Sequence, residues 1–185
     1  MKVLKNPVFA VFFAVLLVIS SSLISSGMKL DKECRKVTDG FYQGVKYDGY
    51  KHSAIYTQLK NICGAASGLV TVADNYGIET DEVSDREAEL SAAVSDAHVG
   101  ISSIYKKYTA LREALTRLEW ELDDVTLSSR DEDGFELYVS TVENAGGVID
   151  SSGYNESVHS YISGCDAWKR MFISLTNTHL PELFA

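Results

Sequence analysis

Apolar and small side chains recur at alternating steps of four and three along most of this chain, and that spacing restricts the fold more than any other feature. From Ile55 the series runs through Leu59, Ile62, Ala66, Leu69 and Ala73 to Tyr76. A helix turns once in about 3.6 residues, so these steps lay one stripe along one face. Gly77 follows as the expected stop. A longer series runs from Leu90 through Val94, Ala97, Ile101, Ile104 and Tyr108 to Leu122 and Val125 without losing phase at Gly100. It predicts one helix of about forty residues, roughly 60 Å long, with a break near His98–Gly100 as the alternative. Ser84 with Glu87, and Ser129 with Glu132, read as capping boxes that open helices.

The last third carries two stripes. Phe135, Val139, Val142, Gly146 and Ile149 form one; Tyr154, Val158, Tyr161, Cys165, Trp168, Phe172 and Leu175 form the other. They are out of phase, so an interruption at Ser151-Ser152-Gly153 is expected. Trp168 and Phe172 read as core. Gly64 and Gly68 stand four apart beside Lys60 and Asn61, a pattern for close helix packing in water rather than a dimer face in lipid. The prolines are Pro7 and Pro181, so none breaks the middle of the chain. The expected fold is all-α: an elongated antiparallel, up-and-down bundle of three to four long helices behind an N-terminal hydrophobic helix. The divisions are 1–27 as a signal-anchor or transmembrane segment, 28–178 as the bundle and 179–185 as a short tail.

Val8 to Gly27 contains no charged residue. Twenty such residues in a helix span about 30 Å, the thickness of a hydrocarbon core. The apolar run is continuous to Ile19 and then mixed with serines. Lys2 and Lys5 ahead of it and Ser25-Ser26-Gly27 behind it also fit a signal peptide cleaved near Gly27. An uncleaved single-pass membrane anchor is the expectation and a secreted domain the alternative, and the side of the membrane on which the domain lies is open. The charged run Leu30-Asp31-Lys32-Glu33 ahead of Cys34 lacks the features of a lipidation box.

The 185-residue chain has a formal charge of −9. That argues against phosphate backbones as partners and against anionic lipid as a peripheral one. Cys34, Cys63 and Cys165 are too few and too scattered for a disulfide framework; whether Cys63 and Cys165 pair is left open.

Several short motifs point the same way. Phe41-Tyr42-Gln43-Gly44-Val45 precedes Asp48-Gly49-Tyr50; Leu69-Val70-Thr71-Val72-Ala73 precedes Tyr76; Tyr154-Asn155 precedes Val158; Leu180-Pro181 precedes Leu183-Phe184. In this order and spacing the chain resembles the LemA family of bacterial envelope proteins, over roughly Val37 to Phe184. Ser67 stands where that family usually has asparagine, Leu180 where it has phenylalanine, and the stretch around Cys165 is atypical. The resemblance implies a membrane-anchored helical bundle of undefined biochemical activity, acting through protein partners. It gives the motif positions a structural role and no catalytic one.

The residues themselves carry little chemistry. No histidine among His52, His98, His159 and His179 has metal-ligand spacing to another or to a cysteine. Asp81-Glu82, Asp123-Asp124 and Asp131-Glu132-Asp133 fall at helix ends, where solvated carboxylates belong. Glu87, Glu119, Glu121 and Glu143 lack the accompanying histidines of a di-iron bundle. No nucleophile elbow, phosphate loop or dinucleotide fingerprint occurs. The expectation is therefore no enzyme, no cofactor and no metal. Phe41, Tyr42, Tyr47 and Tyr50 crowd the junction of anchor and bundle, either to seat it at a membrane surface or to plug its end. The other functional reading is a small-molecule-sensing bundle with an inter-helix pocket at Trp168, Tyr161 or Tyr108.

Overall fold

Among the described residues, seven helices and one pair of two-residue strands follow in order: α1 (Pro7–Gln43), β1 (Lys46–Tyr47), β2 (Tyr50–Lys51), α2 (Ile55–Asn75), α3 (Asp81–Ser95), α4 (Ile101–Asp123), α5 (Ser129–Asp150), α6 (Tyr154–Ser163) and α7 (Ala167–Thr176). The computed structural model describes residues 7–47, 49–176 and 179–185; of 7–14, 16, 18, 19, 22, 23, 47 and 176 it gives the backbone alone. The motif residue Asp48 and the N-terminal Lys2 and Lys5 thus lie outside the described residues.

The α2 stripe becomes the centre of a helical bundle. Leu59, Ile62, Ala66, Leu69 and Ala73 are all fully buried. Burying a leucine or isoleucine contributes about 1.5–3 kcal/mol. The helix ends at Tyr76, after which Gly77 takes φ 72°. Ile78 N then reaches Ala73 O at 3.2 Å and Gly77 N reaches Asp74 O at 3.2 Å, the paired bonds of a Schellman stop. That conformation requires the glycine.

Helix α5 lies along α2 in the opposite direction: Tyr76 at the end of α2 bonds Asp131 at the start of α5, and Gly68 faces Tyr138 further along. Gly68 leaves the space that the Tyr138 ring fills, so the close-packing expectation holds there. It does not hold at Gly64, which faces open space.

The forty-residue helix is not formed. The segment 84–125 is two antiparallel helices, tied by Arg117 to Glu82 and by Lys107 Nζ to Glu89 Oε2 at 3.4 Å. Asp96 ends α3 with ψ 111° and its carboxylate accepts from His98 N at 2.9 Å. Gly100 enters α4 extended, at ψ 146°. Both halves of the stripe still meet one core, because a hairpin folds Leu90 and Val94 back beside Ile104 and Leu111, while Ala97 in the reversal is exposed.

The helix starts also differ from expectation. α3 begins at Asp81, so Ser84 lies inside its first turn. Ser128, not Ser129, caps α5, its Oγ accepting from Asp131 N at 3.3 Å. The expected interruption is present: α5 stops at Asp150 and Gly153 takes φ 68° before α6. A second break at Gly164–Asp166 separates α6 from α7. It turns the stripe outward, so Trp168 is 68 % exposed and Phe172 half-buried rather than core. Among the described residues no helix is long and apolar enough to cross a membrane.

Candidate functional site

The motif positions separate into three groups. Leu69, Val72 and Ala73 are buried core of α2, and Tyr76 sits at its end. The Tyr76 hydroxyl donates to Asp131 Oδ2 at 2.8 Å and accepts from Ser128 N at 2.7 Å. It thereby joins the end of α2 to the start of α5.

Gly44 and Val45 lead from α1 into the strand pair. Gly44 takes φ 82°, and a Cβ there would overlap the His52 carbonyl oxygen. Val45 O accepts from His52 N at 2.8 Å, which holds that carbonyl's segment in place. The position therefore admits glycine alone. Gly49 lies in the exposed turn and Tyr50 opens β2; Tyr50 is open to solvent and plugs nothing.

The third group converges. Phe41 is fully buried at the end of α1, edge-on to Tyr42 at 5.0 Å and to Tyr154 at 5.9 Å, and it meets Phe184 at 5.7 Å. Tyr154 and Val158 of α6 are fully buried beside it. Asn155 clamps the tail: its Nδ2 donates to Phe184 O at 3.0 Å and its Oδ1 accepts from Phe184 N at 2.9 Å. Tyr154 OH donates to Glu182 O at 2.8 Å. The Glu182 carboxylate accepts from both Ser102 N and Ser102 Oγ at 3.0 Å, capping α4. With Pro181 and Phe184 buried, the segment 179–185 is a working part of the fold. Replacing Asn155 with leucine removes both clamp bonds, each worth about 0.5–1.5 kcal/mol. We expect a loss of about 1–3 kcal/mol and faster hydrogen exchange at the Phe184 amide; Asn155→Asp, which keeps the acceptor, falls between.

Past Phe184 lies a cleft of 510 Å³. Its floor is aromatic: Phe184 meets Tyr105 at 5.1 Å and Tyr108 at 5.6 Å. Its wall carries Arg112, half-buried on α4, whose Nη1 donates to Tyr108 OH at 3.3 Å. Gly146 of α5 lacks the side chain that would press on the guanidinium. The Tyr108 hydroxyl holds Arg112 in its charged form, with Asp150 and Glu119 adding to it at longer range. Glu113, Asp150 and Glu156 also line the cleft. About two turns beyond Arg112, burial raises the Glu119 carboxyl, and the charge of Glu143 on α5 adds to the shift.

Of the residues expected to line a pocket, Tyr108 does so here. Tyr161 lines a separate groove of 690 Å³ between α1 and α6, and Trp168 stands on the surface. The cleft was not legible in sequence because Arg112 lies beside the α4 stripe, and only the approach of α5 and the tail encloses it.

Cys34, Cys63 and Cys165 are free and buried. Burial pushes the Cys63 thiol up to about 12, with Glu87 adding to it. Cys34 Sγ lies 3.2 Å from the Tyr161 hydroxyl oxygen, and its thiol is also raised by burial. Among the described residues no three histidine, cysteine, aspartate or glutamate side chains are grouped to hold a metal ion.

Asp131 supplies a pH test. The hydroxyls of Ser128 and then Tyr76 hold its carboxyl below the ordinary range. A carboxyl depressed in the folded state stabilises above its unfolded value, about 4, and loses that contribution as pH falls through the depressed value. We expect the urea midpoint to fall as pH drops from the unfolded value, about 4, to the depressed one, and Asp131→Asn to flatten that limb. Compared with protein-family models, curated proteins and solved structures, the chain finds no match.

Proposed function

We propose that this chain is a membrane-tethered helical module of the LemA type, an up-and-down bundle behind an N-terminal apolar helix, acting without catalysis through protein partners in a bacterial cell envelope. The observation that carries the reading is the outward half of α1. Leu30, Cys34 and Phe41 are buried against the rest of the fold, while Val15, Leu17, Ile24 and Met28 on the same helix are each more than half exposed. A stretch of this kind is costly in water and needs lipid or protein around it. The motif positions support the family reading by what they do: Phe41, Tyr154, Asn155 and Phe184 are joined although they are far apart in sequence.

The test is fractionation of cells expressing the full chain, followed by cross-linking and detergent extraction. We expect the protein in the membrane pellet after alkaline washing, with a reproducible set of cross-linked proteins. Recovery in the soluble fraction would refute the tether, and capture of no specific protein under several detergents would refute the partner role.

The Arg112 cleft favours a second reading, a bundle that senses a small molecule with an apolar body and a cationic group. The aromatic floor offers apolar area, and Glu113, Asp150 and Glu156 outnumber Arg112 on the lining, so a cation is attracted and a carboxylate repelled. Thermal-shift screening of small amines separates the readings: a hit abolished by Glu113→Gln with Glu156→Gln supports this one, and a hit indifferent to that pair does not.

A further inference from the structure

The geometry points to a lipid-contacting role for α7: its Trp168, Met171 and Leu175 face sits in the headgroup layer of a bilayer that contains anionic phospholipid, alongside α1. This inference rests on the membrane-tether reading and adds a second point of contact to it.

Three observations converge. The first is the shape of the helix. Trp168, Met171 and Leu175 follow at steps of three and four, so they share one stripe, and they are 68 %, 44 % and 70 % exposed. The other side is occupied: Cys165 just ahead of α7 and Ile173 within it are buried, α7 packs on α1, and Lys169 Nζ lies 3.5 Å from Glu33 Oε2. The apolar stripe is thus held in place by the fold and covered by nothing within the described chain.

The second is continuity. On α1, Met28 and Ile24, five and nine residues before the Glu33 that Lys169 of α7 reaches, are exposed as well. These residues stand at the end of the uncharged stretch Val8 to Gly27. A layer that surrounds this end of α1 therefore reaches the α7 stripe. Tryptophan favours the headgroup region, where an apolar ring and a polar N–H are both accommodated.

The third is charge. The chain carries −9 overall, yet α7 has Lys169 and Arg170 and no acidic residue. On the neighbouring stretch of α1, Lys29, Lys32, Arg35 and Lys36 outnumber Asp31 and Glu33. The junction is a basic pole on an acidic protein. Whole-chain charge hides it, but a headgroup layer meets the pole and not the average.

The experiment uses the full chain carrying Trp120→Phe, which leaves Trp168 as the remaining tryptophan of the two, reconstituted into phosphatidylcholine–phosphatidylglycerol liposomes. Trp120 is itself exposed on α4, so the Trp168→Phe protein serves as the solvent reference. We expect lipids brominated on their acyl chains to quench Trp168, as befits a tryptophan at the membrane–water interface, and aqueous iodide to quench it less than Trp120. Leu175→Asp should restore iodide access. Trp168 as open to iodide as Trp120, in protein that still floats with the liposomes, would overturn the role of α7 and leave the tether standing. Protein that does not float overturns both. Trp168 shielded from iodide but insensitive to bromine, with shielding that grows with the protein-to-lipid ratio, would mean that a second copy covers the face, and would also overturn the inference.

Discussion

Phe41→Ala is expected to cost about 3–5 kcal/mol, the range for truncating a fully buried phenylalanine, and to release the C-terminal segment at the same time. The side chain is 0 % exposed and touches three aromatic rings from three parts of the chain: Tyr42 on α1, Tyr154 on α6 and Phe184 in the tail. Each aromatic pair adds about 0.5–1.5 kcal/mol beyond the area it buries. The cavity left behind cannot collapse readily, because Tyr154 is held by Glu182 O and Phe184 by Asn155. Denaturant unfolding of the detergent-solubilised chain gives the free energy, and hydrogen exchange at the Phe184 amide shows whether the tail is lost with it. Phe41→Leu retains most of the volume but loses the ring pairs, and should cost about 1.5–3 kcal/mol. Equal losses for the two variants would mean that the ring contacts, not the filled volume, hold the junction. No loss for either would mean that Phe41 does not anchor α1.

The second large effect is at Gly68. Leucine there must occupy the space of the Tyr138 ring, and overpacking of this kind costs about 1–3 kcal/mol. The contact lies between α2 and α5, so the damage falls at the centre of the bundle. Tyr138→Ala alone also destabilises, by removing the ring. Combined, the two changes should cost less than their sum, because the leucine fills what the tyrosine vacates; residues in contact show couplings of about 0.5–3 kcal/mol. Additive losses in the double-mutant cycle would rule out a steric conflict between the two positions. Gly64→Leu is the internal control. It faces open space and should leave stability unchanged or slightly raised, since glycine is a poor helix residue.

By itself the sequence determined the helical class and the faces the helices bury. Steps of three and four between apolar residues are a local property of the backbone period, and they correctly marked Ile55 to Ala73, Ile101 to Leu122 and Val142 to Ile149 as core. It also marked Gly77 as a stop and Ser151–Gly153 as an interruption, because glycine's access to positive φ is local too. Periodicity could not choose between one long helix and the break near His98–Gly100, and the structure takes the break. A straight helix and a hairpin can carry the same stripe, and what favours the break includes the Glu182 carboxylate, bonded to Ser102 from eighty residues away. Nor could it tell that the stripe from Tyr154 to Leu175 changes environment midway. The face is apolar throughout, but after the Gly164–Asp166 break α1 covers a different side of α7, leaving Trp168 and Leu175 outside. The Arg112 cleft and the aromatic junction at Phe41 likewise belong to the tertiary structure alone. Both are made by side chains whose chain separations carry no pattern, brought together only when helices and tail pack.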